Sequence, residues 1–472
     1  MMPQSPDGVV EGAVTIGDGA DAGAATGQSV SQEQGTSRSA DDDSVPAADL
    51  LAYGALGLPL AFAALPLYVH VPRLYAEGLG LSLAVVGGIL LAARIFDAVT
   101  DPLIGWANDR LPCRRLWIGV ALPVLALGMA ALLIPPQGAG AAWLFGSLVV
   151  VSLAYSVAMI AYGAWGAEAA TTAGSRTRFV ASREGFALAG VILAAALPGL
   201  LGTAGGEAHA LSRMVWVFLP LLLGCGLWTL ARAPVARQPG RPVSRPWSGL
   251  RAALRDVAFS RLLAVFAVNG IAAAIPSATV LFFVADVLDA SHLAGGFLVL
   301  YFAAAGAGLP LWVRLSRWIG KLRAWLTGMV LAVLVFAWAG TLGSGDVLAY
   351  AVICVLSGIA LGADLSLPPS LVADLIARSG RHGAGTPGQA LHAGACFGWW
   401  SFVTKANLAL AAGVSLPLLA VLGYAPGAVD AGSGAVLAAV YGFVPVGFKL
   451  VAVMLLWRWR GAIEPRGGSA FS

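Results

Sequence analysis

From Asp49 to about Trp459 the chain alternates long apolar runs with short polar turns, and within a run polar and apolar residues do not alternate. A lipid-facing barrel strand would alternate. In hydrocarbon each backbone N–H and C=O must find its partner within its own segment, so such runs are helices. A span takes about 20 mainly apolar residues, and the template fits twelve times, over 49–73, 82–107, 115–134, 142–169, 178–203, 212–233, 258–286, 292–314, 322–343, 346–376, 386–422 and 431–459. The pattern predicts an all-α membrane protein of twelve transmembrane helices. One stretch interrupts it near the middle: PVARQPGRPVSRPW, inside residues 234–257, is rich in Pro and Arg and separates six spans from six. Two six-helix bundles, 48–233 and 258–460, are therefore expected, with 234–257 as a cytoplasmic linker and 461–472 as a short cytoplasmic tail.

Composition agrees with a chain whose solvent is lipid. Hydrophobic residues make up 58% of the 472 positions and charged residues 11%, with a mean hydropathy of +0.82, where soluble domains carry roughly 25% charged residues. Residues 1–47 differ: they are rich in Gly, Ala, Ser and Asp and hold no apolar run, so they cannot offset the entropy of ordering and are expected to be a disordered acidic tail. They carry no basic n-region and no h-region of a signal peptide. Nine of the 24 acidic residues lie before Leu51 against the single base Arg38, leaving 27 basic and 15 acidic residues for the remainder. Lys and Arg sort to one side: 22 flank the loops after spans 2, 4, 6, 8, 10 and 12, and the opposite loops offer Arg73 and Arg213. By the positive-inside rule both termini are cytoplasmic, in a bacterial-type inner membrane. Cys113, Cys225, Cys354 and Cys396 are scattered and serve as small hydrophobes, not as a metal or disulfide set. No phosphate-cradling loop, cofactor motif or nucleic-acid surface is present, and the short loops opposite the arginines lack the groups an enzyme would need.

Charges inside apolar spans cost about 2.5–3.5 kcal/mol each at the centre on insertion scales and so mark function. Span 2 holds three. In ARIFDAVTD, Arg94, Asp97 and Asp101 stand at i, i+3 and i+7 beside Thr100, on one helical face. Two carboxylates one turn apart repel unless a proton or cation lies between them, and Asp97, Thr100 and Asp101 offer the oxygens a hard cation such as Na⁺ prefers. The structural alternative is an Arg94–Asp97 salt bridge that holds helices together. In the second half, Asp364 and Lys405 are the ionisable pair: Lys405 either meets Asp97, Asp101 or Asp364 across a central cavity and exchanges partners, or forms a static interhelical bridge. Lys449 is expected to snorkel to the interface. Gly105 begins G-x-x-x-D-R with Asp109 and Arg110, followed by Arg114 and Arg115. Its ion pairs are expected to gate the cytoplasmic side, with Arg94 and Asp374 as further gating candidates, Asp374 pairing with Arg378. Trp399 and Tyr155 are candidates for solute contact.

A weak internal repeat supports duplication: span 2 leaves as DPLIGWANDR (101–110) and span 8 as GLPLWVRLSR (308–317). Parallel halves of this kind are the arrangement of major facilitator transporters, with the solute held between them. The run YGALGLPL…GLSLAVVGGILLAARIFDAVTDPLIGWANDR resembles the first two spans of the glycoside–pentoside–hexuronide:cation symporters, and R-I-x-D-A-x-x-D-P-x-x-G is complete at 94–105. Similar echoes are YSVAMIAYGAWGAE (155–168), SRTRFVASREGF (175–186), LPPSLVADLI (367–376) and Lys405. The resemblance implies a major facilitator fold and symport of a small polar organic solute such as a sugar or glycoside with Na⁺ or H⁺, by a chain that works as a monomer without a cofactor. It makes Asp97 and Asp101 cation ligands, helped by Thr100 and by Ser156 from span 4. Tyr155, Arg183, Asp364, Trp399 and Lys405 then border the solute. Two carboxylates of the best-known relative are missing here, replaced by Ala61 and Met159. The loss argues against its galactoside grip, favours H⁺ over Na⁺, and raises an alternative cargo, an exported or carried amphipathic or lipid-like molecule.

Overall fold

The computed structural model describes residues 45–75, 79–111, 113–200, 207–235, 246–382, 391–424 and 431–464. The expected acidic tail up to Ser44 and the C-terminal residues from 465 lie outside this set. The first predicted span is two helices, α1 (Ala47–Gly54) and α2 (Gly57–Arg73). Carbonyls at this break are claimed by side chains of other helices: Ser182 Oγ donates to Leu50 O at 2.6 Å, Thr229 Oγ1 to Ala52 O at 2.7 Å, and the Tyr162 hydroxyl to Tyr53 O. The first half continues with α3 (Leu83–Arg110), α4 (Arg114–Leu133), α5 (Ala141–Ala169), α6 (Ala173–Leu200) and α7 (Glu207–Arg232). A short helix, α8 (Pro246–Arg255), lies inside the expected linker; it is amphipathic and buries Leu250 and Ala253. Asp256 then accepts the Phe259 N–H at 2.8 Å and starts the next span.

The second half comprises α9 (Val257–Phe282), α10 (Ala294–Ile319), α11 (Lys321–Ala339), α12 (Val347–His382), α13 (Ala393–Val421) and α14 (Ala431–Ile463). No strand occurs among the described residues. Among the described residues ten spans are long and apolar enough to cross a membrane by length and composition alone; the other two long helices, α3 and α13, are those that carry Asp97, Asp101 and Lys405. Helices α12 and α14 run past the expected ends at 376 and 459. Hydropathy marks where side chains leave lipid, whereas backbone hydrogen bonding carries a helix on into polar sequence.

The packing repeats after six spans. In the first half α2 packs on α6 and α7, α3 on α5, and α4 on α5 and α7. In the second, α9 packs on α13 and α14, α10 on α12, and α11 on α12 and α14, which is the same set moved on by six. Two seams join the halves, α13 against α3 and α5, and α6 against α10 and α12, and the same shift exchanges them. The first seam is a close approach of backbones: a Cβ on Gly105 would stand 2.3 Å from Gly394 O, and one on Gly398 2.9 Å from Asp101 O. At the opposite ends of α3 and α10, Gly87, Gly88, Gly295 and Gly296 meet nothing within 4 Å of such a Cβ. The halves are sealed at the arginine-rich end.

Gly105→Val is expected to oppose that sealing. In a chain freed of its four native cysteines, Thr177→Cys and Ser370→Cys, whose hydroxyls are 3.0 Å apart across the halves, should cross-link readily, and adding Gly105→Val should cut the cross-linked fraction severalfold. Unchanged cross-linking would show that the glycine seam does not govern closure.

Candidate functional site

Helix α3 turns Asp97 and Asp101 inward, where they are 4% and 0% exposed. From α13, Lys405 reaches across the halves and sets its Nζ 2.9 Å from Asp101, 3.4 Å from Asp97 Oδ2 and 2.6 Å from Ser156 Oγ on α5. Ser401, one turn before Lys405, donates to Asp101 Oδ2 at 2.7 Å. Asp101 is thus fully engaged. Asp97 is not: its Oδ1 is buried and has no hydrogen-bond partner. Thr100 sits beside it, half-buried, its hydroxyl turned to Phe96 O at 3.0 Å. The spacing in the sequence had put Asp97, Thr100 and Asp101 on one face, and the structure sets Ser156 and Lys405 against them. Lys405 therefore stands with the candidate cation ligands, not with Asp364. Arg94 is half-buried one turn along α3, and Asp97 Oδ2 is paired with Lys405 at 3.4 Å.

Asp364 belongs to a second cluster inside the second half. It accepts from Trp325 Nε1 at 2.8 Å and from Lys449 Nζ at 2.8 Å, and Lys449 also donates to Asn269 Oδ1 at 2.8 Å. The expectation that Lys449 snorkels is wrong, because the residue is only 2% exposed and its ammonium is paired with Asp364 of α12. A cavity of about 270 Å³ adjoins this pair, walled mainly by apolar and aromatic side chains such as Tyr301, Phe302, Tyr350 and Tyr441.

At the sealed end the locks are built twice. Arg114, the first residue of α4, makes a two-pronged contact with Glu168 at the end of α5 (2.5 and 3.1 Å) and reaches Asp109 at 3.0 Å. Asp109 in turn accepts the N–H groups of Gly394 (2.7 Å) and Ala395 (2.6 Å) in the first turn of α13, so a carboxylate of one half caps a helix of the other at its positive end. Six spans later Lys321, the first residue of α11, pairs with Asp374 at 2.6 Å, and Arg176 of the first half meets the same carboxylate at 3.1 Å. Asp374 is paired with these two and not with Arg378, which donates to Ile463 O at 2.6 Å. Arg110 is exposed and lies over Trp106, 5.7 Å from its ring centre.

Three expected solute contacts are engaged elsewhere. Trp399 donates its Nε1 to Leu250 O at 3.2 Å and braces α8, so it faces the linker helix and not the chamber. Arg183 is buried in the first half, paired with Glu184 at 2.5 Å and lying over Tyr162. Tyr155 packs against that half's apolar core. Sequence reasoning missed Ser401, Asn269, Trp325 and Glu168, which are short or mid-span groups whose value lies in what a distant helix presents. Lys449 did carry a signal, a lone cation in an apolar run that needs a carboxylate.

Removing one member of a buried ion pair leaves the other uncompensated and costs about 3–5 kcal/mol. Lys449→Met is expected to lower the thermal unfolding temperature in detergent markedly, and Asp364→Asn with Lys449→Met to recover most of the loss. A double variant as unstable as the single one would mean that the pair is not the source of the cost.

The sequence pattern of the family described as MFS/sugar transport protein matches residues 50–460. The chain is 25% identical over 404 residues to the Escherichia coli (strain K12) glucuronide carrier protein homolog, covering 81% of this chain and 86% of the relative. Among solved structures it is similar in fold to a bacterial homologue of the iron transporter ferroportin in an outward-facing state (TM-score 0.64, 16% identity, 88% of this chain and 100% of the other). The human organic anion transporter MFSD10 is similar too (TM-score 0.63, 18% identity, 87% and 100%), as is the Escherichia coli fucose:proton symporter (TM-score 0.60, 13% identity, 86% and 97%). Two six-span halves, charges buried where they meet and a family match over nearly all of the helical body make this chain a member of the MFS/sugar transport family, a membrane transporter and not an enzyme.

Proposed function

We propose that the protein is a secondary active symporter that couples a proton, or in its place Na⁺, to a small organic solute by alternating access. The observation that carries this is the unpartnered, buried Oδ1 of Asp97, one of two carboxylates that share one ammonium. A buried carboxylate oxygen left without a partner is costly, and a visiting cation removes that cost. Lys405 already holds the position between the carboxylates, so a metal ion would have to displace an ammonium, whereas a proton needs only the free oxygen of Asp97. This favours H⁺. Protonation of Asp97 weakens its 3.4 Å contact with Lys405, the longer of that ammonium's two carboxylate contacts, and because Lys405 belongs to the other half, loading the site changes what holds the halves together. The locks at Asp109 and Asp374 then break as the arginine-rich end opens. That end is the cytoplasmic one, with both termini on the same side of a cytoplasmic membrane.

The name of the glucuronide carrier relative makes a sugar-acid glycoside the first solute to try. The aromatic cavity beside Asp364 and Lys449 supports an apolar portion on that solute, and with Ala61 and Met159 in place of carboxylates it supports the second reading, carriage of an amphipathic molecule.

Asp97→Asn and Asp101→Asn are expected to abolish gradient-driven accumulation in proteoliposomes while leaving expression and membrane insertion intact. Asp97→Asn, which mimics the loaded carboxyl, should retain solute exchange down its own gradient. Imposed H⁺ and Na⁺ gradients, each tested with a glucuronide, an aryl glucuronide and a lysolipid, separate the ions and the cargoes. Accumulation by both variants at the wild-type level would sink the coupling role.

A further inference from the structure

At the sealed end the two seams between the halves are finished differently. The α3–α13 seam is covered by α8, which packs on α3, α9 and α13 and is tied down through Trp399. The α6–α10 seam has no such cover among the described residues. There a crevice of about 780 Å³ opens between α1 and α6 of one half and α10 of the other. Its throat is apolar, with Leu51, Phe186, Leu309 and Val313, and its mouth carries Arg178 from the first half and Arg314 and Arg317 from the second. Arg314 and Arg317 stand at i and i+3 on the last turns of α10, so they share a face. None of the three arginines is paired with a carboxylate among the described residues. The adjoining Trp318 is 85% exposed and Leu311 52% exposed, as side chains are at the level where hydrocarbon gives way to headgroups.

We propose that this crevice binds an anionic glycerophospholipid, its phosphate held by Arg178, Arg314 and Arg317 and its acyl chains lying along the apolar throat. Three unpaired guanidiniums above an apolar slot match the amphipathic order of such a lipid, and basic pockets between membrane helices on the positively charged side recognise acidic headgroups. Because Arg178 and the α10 pair belong to different halves, the bound phosphate bridges them. The lipid therefore binds the closed form of this end more tightly than the open form and shifts the population toward it.

The test uses the full chain in phosphatidylcholine nanodiscs with and without phosphatidylglycerol. Phosphatidylglycerol is expected to raise the unfolding temperature by several degrees and, in the Thr177→Cys/Ser370→Cys background, to raise the cross-linked fraction. Arg178→Gln/Arg314→Gln/Arg317→Gln should lose both effects, and Arg178→Gln alone at least half of each. A charge-matched control at exposed positions of the same end, Arg251→Gln/Arg255→Gln/Arg323→Gln, should keep them. The proposal is overturned if the crevice variant responds like the wild type, if the control loses the response as well, or if soluble glycerol 3-phosphate reproduces it.

Discussion

The fold is organised around an ammonium from one half held between carboxylates of the other in a medium that punishes unpaired charge. In hydrocarbon Asp97, Asp101 and Lys405 cannot each be solvated alone, so the helices that carry them must meet. That need draws α3 and α13 together, and the glycines at Gly105, Gly394 and Gly398 let the backbones come close enough to do it. The cluster is strong enough to join the halves. It is also incomplete, because one buried oxygen keeps a capacity that the protein itself does not fill.

Around this centre the duplicated architecture supplies matched fastenings. Arg114 with Glu168 and Lys321 with Asp374 occupy equivalent places in the two halves, each pairing the start of one helix with the end of another. The cross-links to the opposite half differ in chemistry, amide hydrogens of α13 to Asp109 on one seam and the Arg176 guanidinium to Asp374 on the other. Both are broken by separation of the halves and neither needs a change inside a half. Rigid rocking is the motion this design permits.

Much of this was legible in the sequence, for stated reasons. Apolar runs and arginine placement predict helices and a twelve-span plan because lipid leaves the backbone few options, and the spacing of Asp97, Thr100 and Asp101 on one helix fixes their shared face. What escaped depends on which helix faces which. Lys405 could have met Asp364, Asp97 or Asp101, and only the packing decides; Trp399, a candidate for solute contact, is a brace for α8; Asp374 passes over Arg378, four residues on, for Lys321 and Arg176. Local periodicity constrains which side of a helix a residue occupies, whereas partner choice between helices hundreds of residues apart is set by the tertiary arrangement. The broken first span was hidden because Ala55 and Leu56 are as apolar as their surroundings.

The brace on α8 has a mechanical consequence. Tied to α13 through Trp399 and continuous with α9 apart from its cap at Asp256, α8 is carried as part of the second half. When the halves part, α8 therefore travels with α13 and its cover lifts off α3.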